Sequence, residues 1–304
     1  MEYNNKELSF KKYVSDRKDI TMNVAFVTDS SCGLAPDEMM KEGIYCIPLQ
    51  IVFMDQDKTL LDFVETTNKE VYQLIRNGQR MTTSLPPLGL IENTFEEIKN
   101  KGFDTVFCIG INPGLSSAYN AYRLAAENIG LKFMHVDIYT TSCMQKYCIS
   151  LANKLYHEGV ALEEIIEKIK NIAETGMTLV LPSDLDHLRR GGRLTPMAAT
   201  LAGLLKIKPI LKIDKSCLGK IDIFDKIRTY NRAVDRMVKE LVERGVDDSY
   251  AIYVANSDDL EQAIHVKEQL QLQFPNHDIQ ICDLVSVISV HTGCGCIGIQ
   301  AFKK

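Results

Sequence analysis

Residues 286–300, SVISVHTGCGCIGIQ, place one histidine, two cysteines and three glycines behind an apolar run. As a metal knot the segment offers His291, Cys294 and Cys296, one short of the four ligands of a structural zinc site, and C-x-C is a less common spacing than C-x-x-C. As a redox pair it fares no better, because cysteines one residue apart close a strained ring. No metal is expected. The histidine alone reads as a satisfied core or turn residue. Gly293, Gly295 and Gly298 permit close approach and unusual backbone angles. They suggest a tight loop that brings His291 against hydroxyl groups elsewhere, with the cysteines as small apolar packing groups.

Three hydroxyl-rich stretches could receive it: Asp29-Ser30-Ser31 after VAFV, Thr82-Thr83-Ser84 before Leu85-Pro86-Pro87, and Asn112-Pro113-Gly114-Leu115-Ser116-Ser117 after VFCIGI. Singly, each is ordinary capping and turn chemistry. Together they are more suggestive, because ligands of open α/β sheets sit beyond the carboxyl ends of the strands. Leu115, Ala118, Tyr122, Ala125 and Ile129 fall at helical spacing and start a helix near Ser116. The free N–H groups of such a first turn favour an anion. With no G-x-x-x-x-G-K and no G-x-G-x-x-G after a strand, a carboxylate held by uncharged hydroxyls fits better than a phosphate.

Positioning those residues falls to an alternation of strand and helix patterns from residue 22. NVAFVTDSS, YCIPLQIVFM, DTVFCIGI and KFMHVDIYT read as strands, and the stretches between them as helices, which implies a mainly parallel sheet covered on both faces. From about residue 177 the texture changes. MTLVLPS reads as a strand, PMAATLAGLLK as a helix, KPILKIDKSCLGKIDIFDKI as a hairpin turning at Leu218-Gly219-Lys220, and DIQICDLVSVISV as a long strand before the glycine-rich end. The expected division of the 304 residues is an extension at 1–21, an N-terminal α/β domain at 22–176 and a C-terminal α/β domain at 177–304.

Between these halves lies HLRRGGR, residues 187–193. It reads as a glycine C-cap with cations in the last helical turn. Alternatively it is a basic docking surface at a pocket mouth, with Arg193 and Arg189 or Arg190 meeting a partner's acidic groups or a nucleotide phosphate. The balance of 35 Lys and Arg against 40 Asp and Glu provides no basic field for nucleic acid. An odd count of nine scattered cysteines points to reduced thiols in the cytoplasm. Residues 1–21 have no apolar core of signal-peptide length, and no run of about 18 apolar residues suggests membrane insertion.

VAFVTDSS, TTSLPP, NPGLSSAYNAY, HLRRGGRLTPMAATLAGLLKIKPIL, IRTYNRAVDRM and HTGCGCIGI, in that order over residues 22–304, resemble the motifs of the DegV family of fatty acid-binding EDD-fold proteins. The resemblance implies a two-domain α/β fold and a cytosolic carrier, not itself an enzyme, that buries one long-chain fatty acid such as palmitate, stearate or oleate between its domains. No cofactor is implied. A separate fatty acid kinase would take the presented carboxylate to acyl phosphate for phospholipid synthesis. Matched motif by motif, the threonine of T-S-Q-P falls on Thr83, the serine of L-S-G-T on Ser116 and the histidine of H-x-G-P-G-A on His291; these would hold the carboxylate. Asp29, Ser30, Ser84, Ser117 and Thr292 are supporting candidates. The chain departs from the pattern at Leu85, Pro87, Ser117, Ala118, Cys294 and Cys296.

Two other readings use the same residues. Ser116 and His291 could serve a hydrolase, but there is no G-x-S-x-G elbow and only Asp29 offers itself as the acid. A dihydroxyacetone-kinase-like subunit would use His291 to form a covalent hemiaminal.

Overall fold

The computed structural model describes residues 22–200 and 207–304. The expected extension at 1–21 and the end of the expected helix at 201–206 lie outside the described residues. The N-terminal half runs β1 (Val24–Asp29), α1 (Pro36–Met40), β2 (Ile44–Ile47), β3 (Gln50–Phe53), β4 (Thr59–Leu61), α2 (Asn68–Arg76), β5 (Met81–Ser84), α3 (Leu88–Asn100), β6 (Thr105–Cys108), α4 (Ala118–Asn128), β7 (Lys132–His135), α5 (Cys143–His157) and α6 (Leu162–Thr175). Strands β2-β1-β6-β7 form a four-stranded parallel sheet. Every residue of β1 is buried, as its apolar run Val24–Val27 covered on both faces requires, and the burial extends to Thr28 and Asp29. Ile91, Phe95 and Tyr122 of α3 and α4 cover one face, and Ile149, Ile165 and Ile169 of α5 and α6 the other.

The C-terminal half runs β8 (Met177–Leu181), α7 (Leu185–Arg190), α8 (Pro196–Ala199), β9 (Lys208–Ile213), β10 (Asp222–Ile227), α9 (Tyr230–Glu243), β11 (Tyr250–Asn256), α10 (Leu260–Gln273), β12 (Gln280–Asp283), α11 (Ser286–Thr292) and β13 (Ile297–Lys303). Its strands form one six-stranded sheet in the order β10-β9-β8-β13-β11-β12. All neighbours in it are antiparallel except β11 and β12. The period-two alternation of a strand sorts the side chains. Met177, Leu179, Leu181, Ile297 and Ile299 pack beneath α9 and α10, while Thr178, Val180, Gly298 and Gln300 face a cavity shared with the N-terminal half. Among the described residues no helix is long and apolar enough to cross a membrane.

Three expectations change. The strand YCIPLQIVFM is two strands, because Pro48 has no N–H to donate and the chain leaves the parallel sheet there. After it, β3 joins β4 and β5 in a separate three-stranded antiparallel sheet. Thr82-Thr83-Ser84 accordingly lies in strand β5, not in a loop. The long strand DIQICDLVSVISV ends at Asp283, and its β-branched remainder is helix α11. Tertiary contacts override propensity there. Val287 and Val290, three residues apart on one helix face, enter the N-terminal core, and the Ser286 N–H is held by Asn68 Oδ1 at 2.8 Å.

The halves also meet where the loop before α4 touches the β9–β10 hairpin. Asn112 Nδ2 donates to the Gly219 carbonyl at 3.2 Å, and a Cβ on Gly114 would collide with the backbone of Leu218 and Gly219. Leu218 and Gly219 take φ of 52° and 70°, so the turn is at the predicted place. Gly114→Ala should lower the unfolding free energy by about 1–3 kcal/mol, the usual cost of overpacking. Urea denaturation measures it; a loss within error would mean that this contact yields.

Candidate functional site

The cavity between the halves has a volume of about 510 Å³. That is within the range of roughly 300–1,000 Å³ common to small-ligand sites. Leu49, Ile111 and Leu115 line it from the N-terminal half and Val180, Ile221 and Leu284 from the C-terminal half. Thr83, Ser84, Ser116, Ser117, His291 and Thr292 all reach it, so six of the eight head-group candidates converge although 208 positions separate Thr83 from His291.

Asp29 and Ser30, two of the supporting candidates, do not line the cavity. Asp29 is fully buried, and burial first raises its carboxyl pKa while its hydrogen bonds oppose the rise. It accepts from Ile111 N at 2.8 Å, Ser31 N at 3.1 Å and Gln145 Nε2 at 3.2 Å, tying β1 to the loop after β6 and to α5. Ser30 Oγ accepts from Leu49 N at 3.1 Å. Both are internal braces.

His291 sits on the last turn of α11, not in the glycine loop, and is 7% exposed. Its Nδ1 lies 3.1 Å from the Gly191 carbonyl and its Nε2 lies 2.7 Å from Thr83 Oγ1. A carbonyl only accepts, so Nδ1 carries the hydrogen; the bare Nε2 then accepts the Thr83 hydroxyl hydrogen. Burial, and next the charge of Arg193, lowers the His291 pKa from 6.5 to about 3. The imidazole is therefore neutral near pH 7. Ser116 holds the opposite hydrogen-bonding capacity. Its Oγ accepts from Ala118 N at 3.2 Å in the turn before α4, and among the described residues its hydroxyl hydrogen meets no acceptor.

Arg193 enters the cavity, where the sequence suggested a docking side chain. Its Nη1 donates to the Gly191 carbonyl at 2.7 Å, and burial lowers its pKa. One carbonyl thus orients both His291 and Arg193. A Cβ at Gly191 would come within 3.0 Å of His291 Cβ and of its carbonyl oxygen, so the first glycine of GGR permits the helix-to-helix approach. Arg189 and Arg190 do lie in the last turn of α7 as expected, but on the surface, 3.9 Å from Asp186 and 4.0 Å from Asp184.

Sequence reasoning missed a second polar group on the cavity wall. Gln300 Nε2 donates to the Thr141 carbonyl at 2.8 Å, Thr178 Oγ1 at 3.0 Å and Thr140 Oγ1 at 3.1 Å, while its Oε1 accepts from Met144 N at 3.1 Å. The available signal was a glutamine on the inward face of the strand IGIQAFK. Among the described residues, Ser116 and His291 do not form a hydrolase triad. His291 Nδ1 faces a carbonyl where a triad has a carboxylate, and Ser116 makes no hydrogen bond to His291 among the described residues. Cys294 bonds the Tyr72 carbonyl at 3.5 Å, and Cys296 is buried on the cavity wall.

Residues 23–304 match the model of the DegV family. Protein DegV of Bacillus subtilis is 30% identical over 288 residues, covering 91% of this chain and 98% of the relative. Its crystal structure, described as that of a fatty acid binding protein, superposes with a TM-score of 0.81 at 29% identity and covers 93% of this chain and 100% of its own. The fatty acid binding DegV family protein of Streptococcus agalactiae superposes with a TM-score of 0.84 at 26% identity, again over 93% of this chain and 100% of its own.

Nitrogen-15 NMR should find His291 as the Nδ1–H tautomer and unprotonated well below pH 6. Its folded pKa, about 3, lies below the ordinary 6.5, so the stability it confers is present above about pH 6.5 and is lost as pH falls toward 3. Thr83→Val, which leaves Nε2 buried without a donor, should cost about 1–3 kcal/mol. An imidazole titrating near 6.5 would contradict the assigned bonds.

Proposed function

The chain belongs to the DegV family, and from that premise we propose that it binds one long-chain fatty acid, such as palmitate, stearate or oleate, in the cavity between its halves. The acyl chain lies along the apolar walls and the carboxylate at Thr83, Ser116 and His291. The two halves, 22–176 and 177–304, act as its two domains, and the carrier works in the cytoplasm. The observation that carries this reading is a single apolar cavity in which Thr83, Ser116 and His291 all take part. The printed descriptions of the Bacillus and Streptococcus structures as fatty acid binding support it.

Affinity would come from the tail. Each buried methylene contributes about 0.8 kcal/mol, so a sixteen-carbon chain gains roughly 10 kcal/mol before the costs of association. Orientation would come from the head, since a carboxylate out of water must be surrounded by donors. A dihydroxyacetone-type ketone would leave most of the apolar wall without a partner.

The finer proposal is that the protein does not itself catalyse but presents the carboxylate to a separate fatty acid kinase. The exposed Arg189 and Arg190 would meet that partner, with Arg193 behind them at the cavity. With purified kinase, ATP and palmitate, acyl phosphate should form. Arg189→Ala with Arg190→Ala should reduce its formation while palmitate still binds. Equal loss of binding and transfer would assign these arginines a structural role.

Organic extraction of the recombinant protein followed by mass analysis should release close to one acyl chain per protein. A protein that neither contains nor takes up palmitate would overturn the reading. The hydrogen-bond inventory adds a pH dependence. In the empty site the Thr83 hydrogen is committed to Nε2, so an ionised carboxylate there meets lone pairs unless His291 gains a proton and releases that hydroxyl. The bound state then holds one more proton than the free state. Affinity should fall as pH rises between 6 and 8, by at most about tenfold per unit, and His291→Gln should flatten the slope. A wild-type affinity independent of pH would refute proton uptake at this site.

A further inference from the structure

Cys143 and Cys282 are 139 positions apart, yet their Sγ atoms lie 2.8 Å from each other. Two sulfurs so close are nearer than unbonded packing requires, and a shift of under about 1 Å would reach the 2.05 Å of a disulfide. Each residue belongs to a different half. Cys143 opens the fifteen-residue helix α5, and Cys282 lies on β12, one of the two edge strands of the six-stranded sheet. The pair also borders a solvent-facing groove of about 760 Å³ that carries Lys146 and Lys154 beside Glu42 and Asp283. Oxidant can reach it there.

We propose that Cys143 and Cys282 form an oxidisable dithiol, converted by a small-molecule disulfide such as oxidised glutathione into a bond that staples the two halves together. Cys143 is the attacking sulfur. The hydrogen bond from Cys282 first, and then Ser142 and Lys146, lower its pKa, and its place at a helix start acts in the same sense. Cys282, whose pKa is raised by the same pairing and by burial, keeps its proton until the second step. In the first step the Cys143 thiolate attacks one glutathione sulfur, the glutathione S–S bond breaks, and the departing thiolate takes up the proton that Cys143 lost. In the second, Cys282 loses its proton and attacks Cys143 Sγ. The second glutathione thiolate leaves and takes up that proton. Two protein thiols are oxidised and one disulfide is reduced to two thiols.

Position gives the staple its effect. Ser142, next to Cys143, lines both the groove and the cavity, and Leu284, two residues after Cys282, lines the cavity. The bond would therefore fix the flank at which the halves could part, and it would close a loop of more than one hundred residues, which strongly restricts the unfolded chain. Cys32 and Cys46 are also neighbours, but at 2% and 8% exposure they sit within the core beneath α5; Cys32 touches the groove wall, whereas Cys46 does not reach it.

Full-length protein should be incubated with oxidised glutathione, alkylated, digested without reductant and mapped by mass spectrometry. The expected result is a Cys143–Cys282 peptide pair that dithiothreitol abolishes. The oxidised protein should melt several degrees higher, and Cys282→Ser should instead hold glutathione on Cys143 and show no such rise. The wild-type map needs no variant to fold. Cys143 and Cys282 both remaining alkylatable under oxidant, or a bond forming at Cys32–Cys46 in their place, would overturn the proposal. None of these readouts requires a bound lipid.

Discussion

The site depends on one backbone carbonyl. Gly191 O accepts from His291 Nδ1 at 3.1 Å and from Arg193 Nη1 at 2.7 Å, and these bonds decide which ring nitrogen of His291 faces the cavity. With Nδ1 committed as a donor, Nε2 must accept, and Thr83 must supply the hydrogen. The chain Gly191–His291–Thr83 thus links the turn after α7, the end of α11 and strand β5, which otherwise belong to different halves. A side chain at residue 191 would push α11 away. The packing requirement and the tautomer are therefore one constraint.

This explains which parts of the site were legible in the sequence. HTGCGC and HLRRGGR stand out because glycines beside charged or imidazole groups leave a compositional mark, and Thr83, Ser116 and His291 could be proposed from motif order. Strand and helix alternation pointed to the parallel sheet, because the runs Val24–Val27 of β1 and Val106–Cys108 of β6 are apolar on both faces and need no long-range information to be recognised. Helix α11 was hidden. Its VSVISV pattern has the β-branched composition of a strand, and only its enclosure by α2, β5 and α7 makes it helical. Asp29 and Ser30 looked like site residues because capping a first turn and binding an anion use the same side chains. Only the burial of Asp29 against Ile111 and Gln145 separates the two roles. The Cys143–Cys282 approach left no trace in spacing, since it depends on how one half docks on the other.

The polar groups of the cavity wall differ in what they have left to offer. Gln300 uses both amide hydrogens and its oxygen on Thr140, Thr141, Thr178 and Met144, which makes that cluster a closed network. A closed network stabilises the join between β13, β8 and the start of α5 and has little capacity for a ligand. Ser116, with a hydroxyl hydrogen unclaimed among the described residues, and Arg193, with most of its fork beyond the Gly191 bond, retain donors. On the proposed reading, this imbalance favours the Ser116 and Arg193 end of the cavity for the head group.

Arg193 also sits in the wall between two spaces. It lines the cavity, and with His187, Arg190 and Gly192 it lines a neighbouring surface groove. With His291 neutral beside it, Arg193 is the one cation at this end of the cavity among the described residues, and being half-exposed it can remain partly hydrated. On the proposed reading, a carboxylate arriving at Thr83 and Ser116 would lie near that cation, which borders both the cavity and the groove. A long, flexible arginine can turn aside more readily than a backbone segment, so on that reading Arg193 is suited both to neutralise the head group and to expose it toward the groove.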